Sequence, residues 1–97
     1  MADKPSEKQE GLHMKINDDV LKGVYSNTMQ VSHTKEEFVI DFMTAFPPHG
    51  IVNARVITSP AHLKRIIRAL QENLSKYEAQ FGVIQESQMP SMQFREE

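Results

Sequence analysis

Four histidines, His13, His33, His49 and His62, are the first side chains in this 97-residue chain whose chemistry could matter. A zinc site gathers three or four ligands within about 2.0–2.3 Å of one ion. The chain offers no His-x-x-x-His or His-Glu pair, and it has no cysteine to contribute a thiolate. The four read as dispersed histidines at a tail edge, a loop, a turn and a helix start, so neither a metal nor a cofactor is expected.

Nucleophilic chemistry needs a hydroxyl with a base and an orienting group beside it. Ser26 and Ser59 have no such companions in sequence, and Ser59 has a better use as a helix cap. Asp41 is the one acid inside a strand-like run. An acid pair of Asp41 with Asp18 or Asp19 is conceivable, but nothing in the pattern brings them together, and Arg55 offers Asp41 a structural partner instead. The expectation is a protein without catalytic residues, not an enzyme.

The basic group Lys64, Arg65 and Arg68, continued by Lys76, could meet phosphates. The alternative is a solvated flank, with Arg68–Glu72 and Glu72–Lys76 pairs at i,i+4 spacing. Tyr25 and His33, with the aromatic strand that follows them, could stack bases beside such a group. These five residues, Tyr25, His33, Lys64, Arg65 and Arg68, are the candidate contacts for nucleic acid or a partner.

The element that would carry the basic group is the clearest in the chain. SPAHLKRIIRALQENLSKYEAQFG, residues 59–82, has Ser59 as N-cap, Pro60 at the first helical position and Gly82 where a C-cap belongs. Leu63, Ile66, Ile67, Leu70, Leu74, Tyr77 and Phe81 fall on a stripe about 100° wide. Part of that stripe also has the spacing of a coiled-coil seam, over fewer than three heptads. A helix packed on a sheet explains it better, and Leu70→Ala is then expected to cost about 2–5 kcal/mol.

The preceding residues read as the sheet. VYSNTMQVS (Val24–Ser32) alternates, with Tyr25, Asn27, Met29 and Val31 on one face. EFVIDFMTAF (Glu37–Phe46) follows a loop at His33–Glu36, and IVNARVIT (Ile51–Thr58) follows turn residues Pro47–Gly50. Pairing Phe42 with Ala54 sets Ile40 against Val56, Phe38 against Thr58, and Asp41 against Arg55 as a charge pair. Pairing Met29 with Ile40 and Val31 with Phe38 keeps the same apolar face, which the helix stripe is expected to cover. The short alternation L-H-M-K-I (Leu12–Ile16) suggests a fourth, edge strand, and Asn17-Asp18-Asp19 starts a turn of helix or a tight loop through Val20 and Leu21, ending at Gly23. The expected fold is α+β: an antiparallel meander of three to four strands followed by one long amphipathic helix.

On the opposite sheet face, Val39, Met43 and Ile57 surround the Asp41–Arg55 pair beside Ser26, Thr28, Gln30 and Ser32. This half-apolar, low-charge surface is the candidate dimer face. Residues 1–11 are polar and 83–97 nearly so, which makes them expected flexible tails around one domain at 12–82. Met89, Met92 and Phe94 give the C-terminal tail a docking segment as its sharper reading. A folded part of about 70 residues with no disulfide is only marginally stable alone, so association is expected. A formal charge of −2 argues against a general affinity for nucleic acid or lipid. No apolar run approaches the roughly 20 residues of a membrane span, and residues 1–11 lack a hydrophobic signal region, so a cytoplasmic protein is expected.

GVYSN (Gly23–Asn27), EFVIDF (Glu37–Phe42) and the 59–82 block together resemble a prokaryotic family of short proteins catalogued as domain of unknown function 3467. The likeness spans about Met14 to Gly82 and implies one fold unit with variable tails. It implies no activity. A four-strand-then-helix order is also similar to that of dimeric single-strand-binding transcription cofactors. The expected function is a non-enzymatic, homodimeric interaction or assembly module with a protein partner, and the alternative is a single-stranded nucleic-acid-binding dimer.

Overall fold

The computed structural model describes residues 11–86. Most of both expected tails, and the segment around Met89, Met92 and Phe94, lie outside them. Within them run α1 (Asp18–Leu21), β1 (Thr28–His33), β2 (Phe38–Phe46), β3 (His49–Thr58) and α2 (Pro60–Phe81). The strands form one antiparallel sheet in the order β1-β2-β3, and the long helix follows. The fold is α+β.

The second hairpin pairs as its alternation requires. Phe38–Thr58, Ile40–Val56, Asp41–Arg55 and Phe42–Ala54 all face one another. The ladder continues past a bulge at Phe42/Met43, with Val52 against Met43, and reaches Phe46–His49. The reversal is thus confined to Pro47 and Pro48, joined by a cis peptide bond, and His49 and Gly50 belong to the strand.

The first hairpin differs from the expected register by two residues. Met29 faces Phe42 and Val31 faces Ile40. The four-residue loop is Thr34–Glu37, one position later than the pattern suggests. The Thr34 hydroxyl accepts from the amides of Glu36 and Glu37 at 3.1 and 3.3 Å, and its own amide donates to the Glu37 carbonyl. A shift of two leaves every side chain on its original face, so alternation alone does not discriminate between the registers.

Leu12–Ile16 forms no strand, and its residues are exposed. Alternation provides a face to bury, but α1 and Gly23 at φ 76° intervene before the sheet, and no tight turn delivers the segment to the edge of β1. Strand β1 is also shorter than expected, because Val24–Asn27 leads into the sheet mostly through bonds that involve side chains, with one backbone bond, from the Asn27 amide to the Met43 carbonyl.

Helix α2 begins and ends where its caps dictate. Ser59 Oγ accepts from the His62 amide at 3.1 Å, a cap worth about 1 kcal/mol. At the other end Gly82 adopts φ 99°, its amide donates to the Glu78 carbonyl, and Glu78 Oε2 accepts from the Ile84 amide. The expected Arg68–Glu72 and Glu72–Lys76 pairs do not form; among the described residues the ion pair is Asp41–Arg55.

The packing of α2 overturns one expectation. The stripe does not cover the sheet: no residue of α2 is buried. Only Leu63 and Ile66, in the first turns, are half-covered on that stripe. The connection is the single residue Ser59 in extended backbone, φ −81° and ψ 157°, with no loop to carry the helix back over the strands. Leu70 is 66% exposed, so within one chain Leu70→Ala removes little packing. The buried residues, Thr28, Ile40, Asp41, Met43 and Thr44, lie at the start of β1 and along β2. They are shielded chiefly by the neighbouring strands. Domains are ordinarily built from two packed layers around a core, and here the layers stand apart.

Candidate interaction surface

Helix α2 presents Ile67, Leu70, Leu74, Tyr77 and Phe81 at exposures of 56, 66, 41, 48 and 65%. At i,i+3 and i,i+4 spacing they make one continuous apolar band, on the order of several hundred Å², the scale at which a patch marks an interaction site. The Tyr77 and Phe81 rings, one turn apart, lie 4.9 Å between centroids and stiffen its C-terminal end.

The sheet adds a second apolar surface. Met29, Val31 and Val56 are each more than two-fifths exposed, and they flank the row Phe38, Ile40 and Phe42 of β2. The opposite face carries the residues singled out as a dimer face, and the structure divides them. Ile57 is 55% exposed and Val39 half-buried, whereas Met43 is only 5% exposed and offers almost nothing to a partner. The bulge places Val52 across from Met43, on the same side.

At the centre of that face Arg55 grips Asp41 in a bidentate pair, Nε to Oδ1 at 2.7 Å and Nη2 to Oδ2 at 2.9 Å. The hydrogen bonds from Arg55 hold the Asp41 carboxyl below its ordinary pKa, and the same bonds raise that of Arg55. A carboxylate kept ionised and occupied at both oxygens is a structural group, poorly suited to moving protons. Asp18 and Asp19 sit in the first turn of α1, not beside it. Among the described residues no three His, Asp or Glu side chains converge as metal ligands.

Tyr25 and His33 do not form one stacking platform. Tyr25 is 74% exposed and lies where the lead-in segment meets Thr44 and Asn53. His33 closes the other end of β1 and rests against Phe38, with ring centroids 5.1 Å apart. The six residues of β1 put about 20 Å between the two ends. Lys64, Arg65 and Arg68 are exposed on α2. At 100° per residue Lys64 lies nearest the apolar stripe, while Arg65 and Arg68 both point to its rear.

A small polar cluster was not anticipated. The Tyr25 carbonyl accepts from Thr44 Oγ1 at 2.8 Å and Asn53 Nδ2 at 2.6 Å, and Asn53 Nδ2 also lies against Thr44 Oγ1. Asn53 is the extra residue of the bulge. The signal was present: a reversal at Pro47–Pro48 and a Phe42–Ala54 pair cannot share an unbroken ladder, so β3 must hold one residue too many. The cluster tethers the lead-in chain to the sheet and has no vacant ligand position.

No helix among the described residues is long and apolar enough to cross a membrane. Residues 1–86 match the family described as Protein of unknown function (DUF3467), and the chain belongs to that family. No curated protein and no solved structure matches the chain.

Proposed function

We propose that this chain is a non-enzymatic interaction module that works as a homodimer and, in that form, binds a protein partner or a larger complex. One observation carries the reading: α2 and the sheet each leave an apolar face uncovered, and no large side chain is fully buried among the described residues. Association supplies the second layer that the single chain lacks. The module belongs in the cytoplasm, a placement supported by the absence of cysteine that an oxidising compartment would put to use. Sedimentation equilibrium of the full chain at micromolar concentration tests the reading. A species of twice 11.1 kDa is expected, and an ideal monomer up to hundreds of micromolar would overturn it.

A second reading, single-stranded nucleic-acid binding, is favoured by one feature. Lys64, Arg65 and Arg68 make no ion pair among the described residues, so their charges are available to phosphates. Against it stand the formal charge of −2 and the separation of Tyr25, before β1, from His33 at its far end.

A further inference from the structure

The apolar stripe of α2 has a heptad phase. Leu63, Ile67, Leu70, Leu74, Tyr77 and Phe81 are spaced four, three, four, three and four residues apart, which makes Ile67, Leu74 and Phe81 a positions and Leu63, Leu70 and Tyr77 d positions. The e positions beside them are then Lys64, Gln71 and Glu78, and the g positions Ile66, Asn73 and Gln80.

We infer that the stripe pairs with the same stripe of a second copy, antiparallel, with Leu70 against Leu74 at the two-fold axis and Lys64 against Glu78 of the second copy at both ends. The inference rests on the homodimer reading above and specifies its surface and orientation. Antiparallel pairing about a two-fold brings a opposite d, so Ile67 meets Tyr77 and Leu63 meets Phe81. It also brings each e flank onto the e flank of the other copy. Lys64 is then apposed to Glu78 twice, and Gln71 to Gln71; on the other side Asn73 meets Asn73 and Ile66 meets Gln80. In a parallel pair e faces g instead, so Glu78 would face Asn73, Lys64 would face Ser59, and no opposite charges would meet. Charge therefore selects the antiparallel arrangement.

The structure leaves both charges ready. Lys64 has no anionic partner among the described residues. Glu78 is held at the seam's edge, where its Oε2 accepts from the Ile84 amide at 2.9 Å and Oε1 remains open to a cation. The area suffices as well. Half-exposed side chains of this size carry on the order of 100 Å² each. Twelve seam side chains from two copies then remove about 1,200 Å² from water, which reaches the range of specific interfaces. The 22 residues of α2 span about 33 Å, so each C-terminal end, with Phe81, reaches Leu63 at the foot of the other copy's sheet.

Charge reversal in the full chain tests the arrangement. Lys64→Glu and Glu78→Lys, each alone, place like charges together at both ends and are expected to raise the dimer dissociation constant roughly tenfold. The double variant restores the wild-type constant, and an equimolar mixture of the two single variants forms the heterodimer in preference to either homodimer. Equilibrium sedimentation of each, with circular dichroism to confirm that the helix is retained, reads all of these. If wild type is a dimer and the single variants dimerise unchanged, or the mixture shows no preference, the antiparallel seam is wrong while the homodimer stands. If wild type is monomeric, the homodimer reading fails first and this seam with it.

Discussion

Asn27 and Ala45 exchange two hydrogen bonds, yet only one of them contributes its backbone. The Asn27 side chain accepts from the Ala45 amide at 2.9 Å and donates to the Ala45 carbonyl at 3.1 Å, doing what a residue of an adjacent strand would do. The Asn27 amide meanwhile donates to the Met43 carbonyl. One asparagine thus carries the ladder past the end of β1, and Ser26, whose hydroxyl lies 2.8 and 3.0 Å from the carbonyls of Thr28 and Met43, supports it.

Asn27→Ala leaves the Ala45 groups to water and is expected to lower stability by about 1–2 kcal/mol, two exposed-site hydrogen bonds at the usual net value. Asn27→Asp keeps the acceptor but loses the donor, and should lie between. Urea melts at fixed protein concentration measure both; equal stability of wild type and Asn27→Ala would show that the side-chain pairing contributes nothing.

The Asp41–Arg55 pair predicts an acid response with a definite sign. Asp41 titrates below its ordinary 3.8 in the folded chain, so on acidification the unfolded chain takes up this proton first. The contribution is fully present above the unfolded value and is lost as the pH falls through the folded one. The stability difference between wild type and Asp41→Asn should therefore shrink from about pH 5 downward. Thermal melts of both proteins between pH 6 and pH 2.5 test this, and a difference that stays constant or grows would contradict the pair's role.

Leu70→Ala separates the two states of association. In dilute solution, where a 66% exposed Leu70 touches little, the variant should match wild type within about 0.5 kcal/mol. At high concentration wild type should gain stability by mass action and the variant should lag. Melting temperatures across a hundredfold dilution series reveal this divergence. A constant deficit of 2–5 kcal/mol at every concentration would mean that Leu70 packs within its own chain.

Nucleic-acid binding has its own signature. Neutralising phosphates with Lys64, Arg65 and Arg68 would give a log–log salt slope of roughly −0.7 per phosphate, reduced by about two units when all three become alanine. Tyr25→Ala would weaken binding by about 1–3 kcal/mol with the slope intact. The homodimeric module predicts no binding to mixed-sequence single strands below about 100 µM at physiological salt. Fluorescence anisotropy decides between them.

What could be read in advance divides along a physical line. The caps of α2 and the Phe42–Ala54 register were legible because each depends on residues close together or on a face pattern that tolerates no single-residue slip. The first hairpin was legible only as to face, since a shift of two preserves the alternation. The placement of α2 was not legible at all. Amphipathicity demands that Leu70 and Leu74 be covered but does not say by what, and the one-residue link at Ser59 leaves that question to a second molecule. Among candidate contacts, Tyr25 and His33 lie at opposite ends of the first strand region, a separation that residue type does not disclose.

Asn53 also bears on how this chain could change length. Its neighbours already sit in ladder positions on either side, Val52 against Met43 and Ala54 against Phe42. Deleting residue 53 would therefore close the gap without reversing any flanking side chain, and the hairpin could survive as an uninterrupted ribbon. What would vanish is the amide that grips the Tyr25 carbonyl. The inserted residue is dispensable to the strand that contains it and matters to the one that precedes β1: a shorter homologue lacking it would keep its sheet and leave Val24–Asn27 less firmly moored.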